Sequence, residues 1–362
     1  MNPGPRSQER FFRALSELLP VDRVTHVHLV HQDPQQPSPI PMLRSRGFKG
    51  CVVAARASIA QSATYWPDLQ WVLHDHPTAE QPADHCLLEL PQGREASRLT
   101  IDKALNAIGP SGQLWIYGIR EHGILSLAKK YPLAQVALVK GHMRLLSLSG
   151  QDATPRDDTT LDPYFRLHYG GITFATLPGV FSWQEPDEGS LMLLEAMLEQ
   201  DPGDRVLDWG CGYGLLGITL ARRWPQAQLV LADDQYAAVR ATRETLQSNQ
   251  LEGHITVLLE DGIGPGLSRT TFSTIVTNPP FHRGARNDQE PALAFFKQVG
   301  SLLQPHGNLW LVGNQFLAHR RTLQQLAFEC EIVLENNRFE VCRAWKKSRF
   351  KQTTTPRLRL TP

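Results

Sequence analysis

The chain has 362 residues, of which 41% are hydrophobic and 20% are charged. This composition is typical of a globular protein and excludes the disordered and fibrous classes. At about 150 residues per domain, the length predicts two domains. The formal net charge of +1 argues by itself against a nucleic-acid partner held by bulk charge.

No apolar run in the sequence is long enough to cross a membrane, and the segment 1–13 is polar and charged. We therefore expect a cytoplasmic protein. The five cysteines form no CxxC pair and are predicted to be reduced and mostly buried. His74, Asp75 and His76 are predicted to lie in a loop or at a strand end, so no metal site is expected.

The polar, turn-rich segment 151–163 predicts a connection between two domains, with the boundary near residue 160. After it, Gly170 and Gly171 separate two short strand-like runs and predict a β-hairpin. Strand-like and helix-like segments then alternate at 206–207, 215–223, 229–232, 236–248, 255–259, 274–277, 292–303 and 309–312. This alternation predicts an α/β domain with a parallel-dominated, doubly wound sheet.

Two pairs of segments indicate an internal duplication. Segment 110–118 matches segment 305–313 at Pro, Gly, Leu, Trp and Gly, with 195 residues between the two starts. In the same order, the apolar run 85–91 stands where 272–280 stands in the second half. We therefore expect two tandem Rossmann-like domains.

The strongest local signal is the run 205–217, in which Asp208 precedes glycines at 210, 212 and 214. Glycines that follow a first strand let the backbone approach a ligand with no Cβ in the way. The spacing Asp-x-Gly-x-Gly-x-Gly predicts that a nucleoside-containing ligand binds over this turn. A dinucleotide site also follows a first strand and is an alternative at this point.

Acidic residues follow the next two predicted strands. Asp233 and Asp234 end the second strand, 25 residues after Asp208, where a carboxylate can accept hydrogen bonds from both ribose hydroxyls. Asp261 follows the third strand and is suited to bind an adenine amino group. The placement of acids at successive strand ends predicts a nucleoside site at that edge of the sheet.

A rigid turn follows the fourth predicted strand. Asn278 is followed by Pro279, Pro280 and Phe281, and the two prolines fix the backbone and remove two N–H donors. The turn therefore presents carbonyl and amide oxygens, which can accept both protons of a planar amino group. This withdraws the nitrogen lone pair from the ring and aims it at an electrophile, while Phe281 offers a face on which a base can stack.

These motifs identify a resemblance over residues 171–345. The segment is similar to class I S-adenosylmethionine-dependent methyltransferases, in particular the ribosomal RNA guanine-N2 methyltransferases, whose type C members modify small-subunit RNA and whose type G members modify large-subunit RNA. The resemblance is carried by the glycine run, by the turn 278–282, and by the segments 176–182, 187–190 and 314–317. Segment 176–182 resembles the type C members more closely.

The resemblance implies S-adenosylmethionine as the cofactor and no metal. The implied catalytic residues hold the guanine amine and stack on the base, and they are Asn278, Pro279, Pro280 and Phe281. The implied cofactor residues are Phe181, Ser182, Asp208, Gly210, Cys211, Gly212, Gly214, Asp233, Asp234, Asp261 and Asn278. The sequence leaves open whether Asp233 or Asp234 holds the ribose, and Trp209 within the glycine run departs from the family pattern.

The function implied is methyl transfer from S-adenosylmethionine to the exocyclic N2 amine of a guanine, with small-subunit ribosomal RNA favoured. The expected partner is ribosomal RNA, a ribosomal subunit or an assembly intermediate, because a paired guanine must first be unstacked. Four alternatives are kept: a large-subunit ribosomal RNA methyltransferase, a protein glutamine N-methyltransferase, a non-catalytic RNA-binding assembly factor and a nicotinamide oxidoreductase.

The expected domains are 1–160, 161–345 and a basic tail, 346–362. The first lacks the glycine motif and has 89–92 in place of the acceptor turn, so it is expected to be a degenerate methyltransferase domain used for RNA recognition or structure. Net charge is +2, −7 and +6 in the three parts. The tail is therefore expected to contact phosphates, although a solubilising role is equally compatible with its composition.

Overall fold

The structure is a computed structural model that contains two large β-sheets and a separate hairpin. It describes residues 4–29, 38–76, 85–152, 164–251, 253–279, 289–314 and 319–347. No helix within these ranges is long and apolar enough to cross a membrane.

The first sheet has seven strands in the order β3-β2-β1-β4-β5-β7-β6. Its strands are β1 (His26–Leu29), β2 (Cys51–Ala54), β3 (Gln70–Leu73), β4 (His85–Glu89), β5 (Gln113–Ile119), β6 (Gln135–Lys140) and β7 (Met143–Ser149). Strand β7 pairs antiparallel with β5 and β6, and the other pairs are parallel. The associated helices are α1 (Pro5–Leu18), α2 (Pro39–Ser45), α3 (Ala57–Ala60), α4 (Arg94–Ile108) and α5 (Ile124–Lys130).

A two-stranded hairpin follows, formed by β8 (Phe165–Tyr169) and β9 (Ile172–Thr176). Gly170 and Gly171 join the strands at φ of +56° and +73°, the left-handed region that a tight hairpin turn requires. The predicted hairpin is therefore confirmed.

The second sheet also has seven strands, in the order β12-β11-β10-β13-β14-β16-β15. Its strands are β10 (Arg205–Trp209), β11 (Gln228–Asp233), β12 (Ile255–Leu259), β13 (Phe272–Thr277), β14 (Leu303–Asn314), β15 (Phe328–Glu335) and β16 (Phe339–Lys346). Strand β16 pairs antiparallel with β14 and β15. The helices are α6 (Glu188–Met197), α7 (Leu215–Arg223), α8 (Tyr236–Ser248), α9 (Gln289–Leu302) and α10 (His319–Gln325).

The two sheets have the same topology. Within each sheet the third strand along the chain lies at one edge, the first is central, and an antiparallel pair closes the other edge. The matched segments of the sequence occupy equivalent places, since β4 and β13 are both fourth in order and β5 and β14 are both fifth. The predicted fold class of two tandem Rossmann-like domains is confirmed.

The cores lie on both faces of each sheet, as strand periodicity requires. On β14, Leu309 and Leu311 pack into one apolar cluster, whereas Trp310 and Val312 pack into the cluster on the opposite face. All four side chains are buried, which explains why this strand reads as a continuous apolar run. Four of the five cysteines are likewise buried, and Cys330 is half-buried.

The antiparallel edge extends further along the chain than the sequence suggests. Lys346, the first residue of the predicted basic tail, is the last residue of β16 and pairs with Phe328. Lys347 follows and donates its backbone N–H to Ala327 O at 2.9 Å. The rest of the predicted tail, 348–362, and most of the predicted connection, 153–163, lie outside the described residues.

The two domains contact each other along the start of α8. Arg240 donates from Nη1 to both carboxylate oxygens of Asp75, each at 2.9 Å, and from Nη2 to Tyr164 Oη at 3.3 Å. His74 packs against Tyr236, with 4.9 Å between the ring centroids. His74 and Asp75 directly follow β3, so the strand-end interpretation of this histidine-rich segment is confirmed, and its carboxylate is occupied by an arginine from the other domain.

The Asp75 carboxylate depends on this contact. Burial opposes its ionisation, but a hydrogen bond from His74 and the charges of His76 and Arg240 outweigh burial and hold the pKa of Asp75 below its ordinary value. Removal of the arginine would leave this buried carboxylate without the guanidinium that donates to both of its oxygens.

We expect Arg240→Gln to lower the free energy of unfolding by about 2 kcal/mol, less than for a fully buried pair because the arginine is partly exposed. Urea denaturation followed by circular dichroism measures this. The matched control is Arg243→Gln on the same helix, where the exposed arginine donates to Val257 O within its own domain. Equal effects of the two substitutions would contradict a special role for the contact with Asp75.

Candidate functional site

A cavity of about 400 Å³ lies at the carboxyl ends of β10, β11 and β13. This is the place where the strand order of a doubly wound sheet reverses and where such sheets bind ligands. The described residues that line it are Arg56, Phe181, Ser182, Asp187, Ser190, Trp209, Gly210, Cys211, Gly212, Tyr213, Leu215, Leu216, Asp233, Asp234, Gln235, Glu260, Asp261, Thr277, Asn278 and Phe295.

Most of the residues predicted for the site line this one cavity. They are Phe181, Ser182, Gly210, Cys211, Gly212, Asp233, Asp234, Asp261 and Asn278. Asp208, Gly214 and Pro279 are not among the lining residues. Pro280 and Phe281 of the predicted acceptor turn, and His282 after them, lie outside the described residues.

The glycine turn connects β10 to α7. Gly210, Gly212 and Gly214 all have positive φ, at +78°, +57° and +88°, a conformation that favours glycine. A Cβ added to Gly210 would meet no protein atom within 4 Å and would project into open space. A Cβ added to Gly214 would lie 2.6 Å from Ile218 Cδ1. Gly210 therefore leaves room for a ligand, whereas Gly214 is required for helix packing.

Asp208 lies behind this turn and is fully buried. Its Oδ2 accepts a hydrogen bond from Gly217 N at 2.8 Å, which fixes the first turn of α7, and its Oδ1 has no hydrogen-bond partner among the described residues. Burial raises the pKa of Asp208 to about 7, and the nearby Asp233 carboxylate raises it as well. The Asp208 carboxyl group thus lies behind the glycine turn and stabilises it through the hydrogen bond to α7.

Asp233 bridges the glycine turn and the end of β11. Its Oδ2 accepts from Gly212 N at 2.9 Å and its Oδ1 accepts from Gln235 N at 2.8 Å. Burial raises the pKa of Asp233 to about 6, and the adjacent Asp234 adds to the rise. Each carboxylate oxygen has a second lone pair with which to accept from a ligand.

Asp234 also lines the cavity, but its carboxylate is engaged by the first domain. Arg56 Nη1 donates to Asp234 Oδ1 at 2.7 Å, and Ser58 Oγ donates to Asp234 Oδ2 at 2.9 Å. The two neighbouring acids that the sequence left undistinguished therefore have different partners.

Asp261 occupies the end of the neighbouring strand. Its Oδ2 accepts a long hydrogen bond from Gln61 Nε2 at 3.4 Å, again from the first domain. Burial, followed by the charge of Asp234, raises the pKa of Asp261. Asp233 and Asp261 thus stand at the ends of adjacent parallel strands, β11 and β12.

Asn278 follows β13 and has its amide group oriented by the start of α6. Asn278 Nδ2 donates to Asp187 Oδ2 and to Ser190 Oγ, both at 2.9 Å. Asp187 is also the N-cap of α6, since the same oxygen accepts from Ser190 N at 2.8 Å. These bonds fix which side of the amide carries the nitrogen and which carries the oxygen.

A capping segment closes one side of the cavity. Phe181 is 54% exposed at the cavity rim, and Ser182 adopts a positive φ of +50° that is uncommon for a residue with a Cβ. Thr176 Oγ1 donates to Trp183 O at 2.6 Å, and Gln235 Nε2 donates to Gly179 O at 3.1 Å. These bonds hold the segment 176–183 against the end of β11.

Sequence reasoning missed several lining residues. Phe295 packs against Trp209 with 4.8 Å between the ring centroids and an angle of 47° between the ring planes, which gives the unexpected tryptophan of the glycine run an aromatic partner in the cavity wall. Asp187 and Ser190 belong to a segment noted for its resemblance, and the spacing of an N-cap to its helix could have identified them. Arg56 carries no local signal, because its partner lies 178 residues away.

Three comparisons bear on this arrangement. Residues 171–343 match the family model for the methyltransferase small domain. The solved structure of a T. thermophilus 16S rRNA N2 G1207 methyltransferase, in complex with AdoMet and guanosine, is similar with a TM-score of 0.77 and 26% identity, and the match covers 96% of this chain and 95% of that one.

Two curated relatives carry the name ribosomal RNA small subunit methyltransferase C. The protein from Hahella chejuensis is 30% identical over 304 residues, which cover 81% of this chain and 84% of the relative. The protein from Stutzerimonas stutzeri is 34% identical over 268 residues, which cover 72% and 79%. With this identity over most of both chains, the chain belongs to the ribosomal RNA small subunit methyltransferase C family.

Proposed function

We propose that this protein transfers a methyl group from S-adenosylmethionine to the exocyclic N2 amine of a guanine in small-subunit ribosomal RNA. The observation that carries the proposal is the convergence of the glycine turn, Asp233 and Asn278 on one cavity in a chain of this family. A similar structure binds AdoMet and guanosine together, the pair of ligands that this reaction requires.

The cavity fits the cofactor. Gly210 and Gly212 leave space for a ligand beside the backbone, and we propose that Asp233 accepts from the ribose hydroxyls and Asp261 from the adenine amine. Five acids but only one base line the described cavity, so its field favours a cationic ligand. S-adenosylmethionine, when bound, supplies an electrophilic methyl group on a positively charged sulfur.

Asn278 and Pro279 are proposed to hold the guanine amine. Asp187 and Ser190 both accept from the amide nitrogen of Asn278 and so orient the amide, and its oxygen is proposed to accept a hydrogen bond from the guanine amine. Acceptance of both amine protons, by this oxygen and the Pro279 carbonyl, directs the nitrogen lone pair at the methyl group. A new C–N bond forms as the S–C bond breaks, and one amine proton then leaves to water.

Positioning accounts for most of the rate in this mechanism. Holding two reactants in attack geometry can be worth on the order of 7 to 11 kcal/mol, and no strong base is needed, since the proton becomes acidic only after methyl transfer. Phe281 is proposed to stack on the guanine, and Pro280 to stiffen the turn that presents it. Phe181 and Ser182 are proposed to cover the cofactor.

We propose a division of the chain into a degenerate domain, 1–160, a catalytic domain, 161–345, and a basic tail, 346–362. Where β13 leads into Asn278 and Pro279, the equivalent strand β4 ends at Glu89 and leads into Leu90 and Pro91. The first domain therefore lacks the acceptor amide. The substrate is proposed to be ribosomal RNA, a ribosomal subunit or an assembly intermediate in the cytoplasm.

Replacement of Asn278 by Ala is expected to lower the rate of methyl transfer by at least about a hundredfold, because a preorganised acceptor is lost. Ser190→Ala removes one of the two groups that orient the amide and should cost about tenfold. Transfer of labelled methyl groups to small-subunit RNA measures the rate, and calorimetry measures cofactor affinity. Equal loss of affinity and rate in the Asn278 variant would contradict the assigned role.

Cofactor affinity is expected to depend on pH through Asp233. A carboxylate binds ribose hydroxyls, and the pKa of Asp233 in the free protein is about 6, so affinity should be constant above pH 7 and fall as the pH drops through 6. Calorimetric titration between pH 5 and pH 8 measures this. Asp233→Asn should bind about tenfold more weakly at pH 7 and lose the fall in affinity centred near pH 6, whereas Asp201→Asn, in a distant turn, should retain that fall.

Removal of 348–362 is expected to weaken binding to ribosomal RNA while cofactor affinity stays unchanged. This deletion spares β16 and removes four basic residues, and the salt slope should become shallower by about 0.7 to 0.9 for each phosphate that the tail neutralises. Fluorescence anisotropy with labelled RNA at several salt concentrations measures the slope. An unchanged slope would contradict binding of the tail to phosphates and leave it a solubilising role.

A further inference from the structure

Three carboxylates crowd the end of the cavity assigned to the adenosine. Asp233 and Asp234 are adjacent on the chain, and Asp261 lies two residues after the end of β12. The charge of Asp234 raises the pKa of both other acids, in addition to the effect of burial. Without compensation, this crowding would protonate the group that the cofactor requires as a carboxylate.

The compensating charge comes from the first domain. Among the described residues that line the cavity, Arg56 is the one that the first domain contributes and also the one base. Its guanidinium lies 2.7 Å from Asp234 and lowers the pKa of both Asp233 and Asp261. The ion pair is partly shielded from solvent, with 33% of the arginine side chain and 25% of the aspartate side chain exposed.

The backbone on either side of Arg56 fixes this position. Ala57 N donates to Asp234 O at 2.7 Å, and Tyr236 N donates to Ala55 O at 3.0 Å, so Arg56 and Gln235 form an antiparallel bridge between the domains. The bridge fixes the backbone of Arg56 beside Asp234, so only the side chain of the arginine has to be ordered for the pair to form.

We propose that Arg56 is a positioning residue of the cofactor site, supplied by the first domain, which neutralises Asp234 so that Asp233 meets the cofactor as a carboxylate. The inference rests on the proposed function. The first domain, which has no glycine motif of its own, thereby completes the cofactor site of the second. Because coupling is reciprocal, cofactor binding should in turn strengthen contact between the domains at this bridge.

The charged groups around Asp233 define what a pH measurement reports. Asp208 lies behind it on β10 and Cys211 lies in the glycine turn, Asp234 directly follows β11, Glu260 and Asp261 follow β12, and Arg56 faces it from the first domain. Arg56 is the single base in this set. Replacement of Arg56 by a neutral residue should therefore raise the pH at which cofactor affinity begins to fall. A general loss of stability would not change that pH.

The test compares cofactor affinity in the full-length wild type and in Arg56→Gln, with S-adenosylmethionine and S-adenosylhomocysteine as the probes in calorimetry between pH 5 and pH 8. We expect about tenfold weaker binding at pH 7 and a midpoint of the pH dependence about one unit higher. Arg56→Lys, which keeps the charge but not the fork, should bind within about threefold of the wild type. An unchanged midpoint in Arg56→Gln would overturn the proposal.

A double substitution tests the electrostatic reasoning directly. In Arg56→Gln with Asp234→Asn, the ion pair is replaced by two neutral side chains, and Asp233 no longer faces an uncompensated neighbour. This protein should recover most of the affinity lost in Arg56→Gln. If it binds as weakly as the single variant, the role of Arg56 is not to neutralise Asp234 and the proposal fails.

The matched control is Arg240→Gln, which breaks the other ion pair between the domains but does not line the cavity. Its cofactor affinity should stay within about twofold of the wild type, while equal weakening in both variants would overturn the proposal. Circular dichroism and thermal melting confirm that each variant is folded. Absence of cofactor binding by the wild type would overturn the proposed function, whereas normal binding by Arg56→Gln would overturn only this inference.

Discussion

The hydrogen bonds of the Asp233 carboxylate hold the candidate site together. One oxygen binds the amide of Gly212 in the turn after β10, and the other binds the amide of Gln235 at the start of α8. Three elements thus meet at one side chain. Because the carboxyl ends of parallel strands share one edge of the sheet, a single acid at the end of β11 can reach the turn of its neighbour without any long connection.

Asp234, the next residue, attaches the first domain at the same point. The Asp233 side chain accepts from Gly212 in the glycine turn, whereas the Asp234 side chain accepts from Arg56. Two sheets with the same strand order follow each other along one chain, and only the second has the glycine run 210–214 and Asn278 at the ends of its strands. The first domain contributes Arg56 to the wall of the cavity.

The sequence predicts the second domain well because its signals are local. The helices 215–223 and 236–248 and the strand 255–259 begin and end where apolar periodicity and turn residues indicate. Strand β14 begins earlier than the apolar run 309–312, since its first residues are partly polar and are held by pairing with β13. Pairing of this kind depends on a neighbour that a local pattern does not reveal.

The sequence predicts which residues lie at the carboxyl edge of the second sheet. It does not predict the direction in which each side chain points. Position at a strand end placed Asp233, Asp261 and Asn278 correctly around one cavity, whereas Asp208 lies behind the glycine turn rather than in the cavity wall. The partner of Asp234 could not be predicted, because Arg56 lies 178 residues away and belongs to the other domain. Contacts between residues far apart in the sequence produce no periodic pattern from which they could be predicted.

Helix α8 joins two surfaces that the chain builds far apart. Near its start, Tyr236 and Arg240 contact the first domain, and near its end Thr245 and Asn249 bind the backbone of β9, which leads directly into the segment over the cavity. Its 13 residues span about 20 Å as a stiff rod. Helix α8 therefore connects the first domain rigidly to the capping segment 176–183, so that neither can tilt without displacing the other.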